Sequence, residues 1–91
     1  MNLLNTLFVL TPGAFIAKDH RNLVVKVDGD VRLRVPLHGL ASVACFGHGL
    51  MSPEAMGASA AKGVHVAFFS QTGRFIARVE GAGRGSLRLR R

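Results

Sequence analysis

Ninety-one residues suffice for one small domain with one core and exclude a second. Twelve Lys and Arg against five Asp and Glu leave a net charge of +7, and nine of the twelve are arginine, whose planar fork suits phosphate oxygens. Apolar residues make up 48%, more than one small chain can hide, so a partner surface is expected, either a homodimer or a neighbouring domain, while no run approaches membrane-spanning length.

The first apolar run, Met1 to Leu10, lacks a basic leader region and stops at a turn, Thr11-Pro12-Gly13, so it is not read as a targeting signal. Leu7 to Leu10 reads as a strand instead. Ala14 to Lys18 is the second strand, closed by the turn-compatible Asp19, His20, Arg21 and Asn22, and Leu23 to Val27 is the third. Asp28-Gly29-Asp30 supplies a tight hairpin, since glycine takes positive φ without steric cost.

In the fourth strand, Val31 to Val35, Val31, Leu33 and Val35 alternate with Arg32 and Arg34. This predicts one core face and one wet face. Pro36 ends the strand, and Leu37 to Ala41 leads into the next.

Val43 to Phe46 is an apolar run followed by a glycine-punctuated turn, a helix opening at Ser52-Pro53-Glu54, and a second apolar run, Val64 to Phe69. The change of period marks a strand, helix, strand unit. Ser52 can cap the first free N–H groups, Pro53 fits the first helical position, and Glu54 complements the positive end of the dipole. The helix is expected to end at Gly63. Its small interior predicts close approach to a sheet, with Gly57 either a contact point or a tolerated weakness. Val64 to Phe69 is expected to be buried on both faces and parallel to its predecessor.

After the Gln71-Thr72-Gly73 turn, Arg74 to Glu80 forms another hairpin arm, in which Arg74 and Arg78 share a face by alternation. Gly81-Ala82-Gly83-Arg84-Gly85 is the one linker-like composition, and six apolar and basic residues follow it. The expected organisation is a β-rich domain over 1–80, then a linker over 81–91 leading toward a further domain.

Catalytic chemistry finds no foothold. Three of the carboxylates, Asp19, Asp28 and Asp30, fall in turns, Glu54 lies in the first helical turn, and Glu80 ends a strand beside Arg78. Paired carboxylates for hydrolysis or a two-metal site are not expected from this set. Cys45 and His48, with His38 and His65, show no spacing that completes a zinc site, so four unrelated histidines are the preferred reading. Neither a G-x-S-x-G elbow nor a P-loop ending is present. The single cysteine sits in an apolar run, which points to a core residue and a reducing, cytoplasmic setting.

Nucleic acid is therefore the leading class of partner, against a merely soluble basic surface. Arg74 and Arg78 are the first candidates for DNA phosphate contact, with Arg84 in the linker next. Arg32 and Arg34 read equally as contacts or as a solvated face that discourages edge pairing, and the solvated reading stays as open for Arg74 and Arg78. The six phenylalanines mostly occupy positions expected to be core, which argues against stacking on bases.

Asn5-Thr6-Leu7 with Thr11-Pro12-Gly13, then Arg34-Val35-Pro36-Leu37, Cys45-Phe46-Gly47, Met51-Ser52-Pro53, Gly63-Val64, Gly73-Arg74-Phe75-Ile76-Ala77-Arg78 and Leu87-Arg88-Leu89-Arg90-Arg91 occur in one order along the chain. In that order and spacing they resemble the N-terminal β-rich domain of the universal CRISPR adaptation endonuclease/integrase, particularly its type I-C form. The resemblance implies an α+β, β-rich fold with two small β-sheets and one helix in a β-α-β crossover. It implies a role in dimerisation and DNA positioning within a protein that inserts foreign DNA spacers into a CRISPR array for antiviral defence. The implied partners are a second copy, captured double-stranded DNA and a second small adaptation subunit. The family's Mg or Mn ligands belong to a helical domain that follows, so no catalytic or metal residue carries over to this chain. Two other readings stay open: a freestanding basic β module that binds nucleic acid through its backbone, and a purely structural dimerisation domain.

Overall fold

The computed structural model describes residues 5–80. In order, the chain forms β1 (Thr6–Val9), β2 (Phe15–Asp19), β3 (Asn22–Val27), β4 (Asp30–Pro36), β5 (Ser42–Phe46), the two-residue β6 (Leu50–Met51), α1 (Pro53–Ala61), β7 (His65–Phe69) and β8 (Phe75–Val79). One sheet has the order β1-β5-β7-β8, the other β4-β3-β2-β6. Two mixed sheets and one helix make the fold α+β and β-rich, as expected.

Local chemistry sets most boundaries. At the β3–β4 hairpin, Asp28 and Gly29 both take positive φ, 54° and 83°, the pair of values that matches a tight turn to the right-handed twist of the strands. At the head of α1 the Ser52 hydroxyl accepts from the Ala55 N–H at 3.1 Å, with Pro53 beside it. The helix closes at Lys62, and Gly63 follows at φ +75°, the left-handed conformation that ends a helix at least cost. The flanking β5 and β7 are parallel neighbours, as a crossover through α1 requires.

The core lies between the sheets. Val9, Val43, Cys45 and Val66 of the first sheet meet Ile16, Leu23, Val25 and Met51 of the second, with Ala55 of α1. Ala55 and Ser59, four apart on one helical face, are both fully buried where α1 lies against β2 and β7. Small side chains there allow that approach. The Ser59 hydroxyl finds no hydrogen-bond partner among the described residues.

Several expectations change. Gly57 is exposed and a Cβ built there meets nothing within 4 Å, so it is a tolerated weakness and not a contact point. Pro36 lies inside the end of β4, opposite Asn22, because an edge strand does not need its N–H. The predicted core face of β4 survives only in part: Leu33 and Val35 pair with the core residues Val25 and Leu23, whereas Val31 pairs with Lys26, and Val31 and Leu33 are 48% and 45% exposed. A bulge turns Val31 away, since Lys26 pairs with Val31 and Val25 with Leu33, leaving Arg32 over, while Leu33 is exposed because β4 is the edge strand of its sheet. Nor is β7 buried on both faces; Val66 alone is fully covered, and His65 is exposed, because among the described residues no element packs on the outer side of its sheet.

Candidate nucleic-acid interface

The register of the first sheet lays out that outer side. Phe8, Ala44, Ala67 and Arg78 form one row across β1, β5, β7 and β8. Phe46, Phe69 and Phe75 form the row two residues further along. A second bulge creates this arrangement: Phe68 pairs with Ala77 but Phe69 with Phe75, so Ile76 is the extra residue. Without it Phe75 would share a face with Ala77. With it Phe75 stands beside Phe69 and on the same face as Arg78.

The ring planes of Phe46 and Phe69 lie 13° apart with centroids 4.8 Å apart, and Phe75 meets Phe69 edge-on at 5.9 Å. These geometries suit the aromatic quadrupole. Phe8 remains 60% exposed and Phe75 54%. Ala44 and Ala67 lower the middle of the sheet, and with Ser42, His65, Phe69, Phe75 and Arg78 they line an open groove of about 390 Å³. None of the six phenylalanines is fully buried, which reverses the expectation that most are core. The core face is filled by valine, isoleucine, leucine and cysteine, and five of the six rings stand on outer faces.

The predicted arginines are dispersed. Arg78, on β8, donates from Nε to Glu80 Oε2 at 3.0 Å. Arg74 lies before β8 in the turn, where its backbone N–H donates to Ser70 Oγ at 3.0 Å, so the two are not alternating residues of one strand. Arg32 is the bulged residue of β4 and is exposed. Arg34, on the same strand, donates to Asp19 Oδ2, while His20 Nδ1 donates to Asp19 Oδ1 at 2.8 Å. These two contacts, His20 first, hold the Asp19 carboxyl below its ordinary value of 3.8. Arg84 lies outside the described residues.

Metal chemistry has no donor set in this part of the chain. Among the described residues no three His, Cys, Asp or Glu side chains come together, and Asp19 is already engaged. Neither Mg nor Mn fits here. Burial pushes the Cys45 thiol up to about 11, which suits a core residue and not a ligand or nucleophile. No helix among the described residues is long and apolar enough to cross a membrane.

Residues 7–91 match the family model described as CRISPR associated protein Cas1. The chain is 48% identical over 89 residues to CRISPR-associated endonuclease Cas1 2 of Rhodospirillum rubrum, covering 98% of this chain and 26% of that protein. Among solved structures, a partial Cas6-RT-Cas1–Cas2 complex superposes with a TM-score of 0.75 at 25% identity, over 82% of this chain and 23% of that one. A TtCas1–DNA complex superposes with a TM-score of 0.68 at 17% identity, over 81% and 28%, a likeness of fold. The chain thus spans about a quarter of the curated relative's length.

Proposed function

This chain belongs to the Cas1 family of CRISPR-associated proteins, and from that premise we propose that it is the dimerising and DNA-positioning domain of an endonuclease/integrase that inserts foreign DNA spacers into a CRISPR array. The observation that carries this reading is the match over nearly the whole chain to relatives named as CRISPR-associated endonucleases. Its partners are captured double-stranded DNA, a second copy, and a second small adaptation subunit of the kind named in the Cas1–Cas2 complex.

The described residues bind and orient, and none of them is assigned a cutting step. Mg or Mn would be held by residues other than the described ones, to which no reaction step is assigned. A net charge of +7 draws the duplex, and the exposed Arg32 on β4 and Arg74 in the β7–β8 turn hold its backbone. The second copy covers the outer face of the other sheet, where Leu50, Phe15, Lys26 and Val31 form a row with three exposed apolar side chains.

Duplex affinity measured against salt concentration tests the DNA role. A domain that neutralises several phosphates should lose affinity steeply, with a log–log slope of about 0.9 per phosphate. A flat dependence, or no binding, would leave only a structural dimerisation domain.

A further inference from the structure

We propose that the outer face of the β1-β5-β7-β8 sheet is a stacking platform for single-stranded nucleic acid, with Phe8 and Phe75 taking bases and Arg78 and His65 taking phosphates. The inference rests on the nucleic-acid reading above and adds to it the strandedness of the ligand and the residues that meet it.

Four of the six phenylalanines project from this one face, one from each strand. A mostly parallel sheet of this kind normally has both faces covered, yet among the described residues only the core side is packed. Phe46 and Phe69 stack on each other, which leaves Phe8 and Phe75 at the two sides of the face as the rings with free surface. Between them the alanine floor sinks into the groove, giving planar rings room to lie against the sheet.

Charge selects the occupant. The groove's lining contains His65 and Arg78 and no carboxylate. Arg78 uses only its Nε toward Glu80, so its two terminal nitrogens remain to meet a phosphate. A polyanion with exposed planar rings satisfies both halves of the surface, aromatic and cationic. Duplex bases already stack on one another and offer no faces; a single strand does.

The chain has no Trp or Tyr, so Phe75→Trp gives one clean fluorophore at the platform. The 91-residue variant is titrated with an oligothymidylate of about twelve nucleotides and with a blunt duplex of the same length. The expected result is saturable quenching by the single strand, at least about tenfold tighter than by the duplex. The double variant Phe8→Leu with Phe75→Leu keeps apolar bulk on an already exposed surface. It should weaken single-strand binding about tenfold or more while the thermal midpoint stays within about 2 °C.

Single-strand binding without quenching, or binding unchanged in the leucine variant, would overturn the platform. So would a fall in oligomeric mass of the leucine variant by light scattering with oligonucleotide binding intact, which would assign the face to a second copy. If salt-dependent duplex binding persists in either case, the DNA-positioning role stands and only the platform falls. If the unsubstituted chain binds neither form, both readings fall.

Discussion

Arg34 on β4 reaches across β3 to the carboxylate of Asp19 on β2, whose other oxygen accepts from His20 in the β2–β3 turn. One carboxylate thus ties β2 and the turn after it to β4 at the surface. Its pKa is lower in the folded chain than in the unfolded one, so the tie contributes stability above the ordinary value of 3.8 and loses it as pH falls through the depressed value. Urea midpoints of the wild type and Asp19→Asn should differ at neutral pH and converge below about pH 4. A gap that is independent of pH would mean that the pair contributes nothing through its charge.

The arginines should separate by what already engages them. Among the described residues Arg32 and Arg74 have no carboxylate partner, whereas Arg34 is bound to Asp19. Arg32→Ala and Arg74→Ala should each lower the salt slope of duplex binding by about 0.9, the release of one counterion. Arg34→Ala should act mainly by leaving the Asp19 charge uncompensated, and restoring neutrality with Asp19→Asn should recover binding. An unchanged slope in Arg32→Ala or Arg74→Ala removes that residue from the interface.

Two helix substitutions should stabilise for different reasons. Gly57→Ala enters open space and removes a backbone-entropy penalty of about 1 kcal/mol. Ser59→Ala removes a buried hydroxyl that lacks a partner among the described residues, again worth about 1 kcal/mol. Urea denaturation checks both, and Ser52→Ala, which removes the helix cap, should cost about 1 kcal/mol in the same assay.

Cys45 should report global unfolding. It is 1% exposed and its thiol is pushed up to about 11, so at pH 8 an aromatic disulfide reagent should label the folded chain more than about a hundredfold slower than the urea-unfolded chain. The folded state holds its proton more tightly than the unfolded one, so this group's contribution to stability is present below pH 9.0 and declines as pH rises toward 11. Fast labelling at pH 8 would show that the space between the sheets opens locally.

What the sequence displayed was chemistry that acts over a few residues. Ser52, Pro53 and Gly63 mark both ends of α1 because a cap, a missing N–H and a positive φ are decided within one turn. The hairpin at Asp28 and Gly29 was legible for the same reason. The two bulges were not, because each is a mismatch between strands: nothing within Phe75 to Val79 says that Ile76 will be passed over by Phe69. Strict alternation therefore put Phe75 with the core and joined Arg74 to Arg78, and the aromatic face stayed hidden. Apolar character was taken as burial, whereas among the described residues these sheets pack on each other on one side only.

The path of the chain between its sheets has a consequence for how the molecule comes apart. It starts in one sheet with β1, builds most of the other with β2, β3 and β4, returns for β5, crosses again for β6, and returns through α1 to β7 and β8. Thr6 finds its partner only at Ser42, with the entire β2–β3–β4 meander between them. Neither sheet can be peeled away while the other stays intact, because each is stitched into the other by the backbone itself. Melting should accordingly be one event, with no half-folded state in which a single sheet survives.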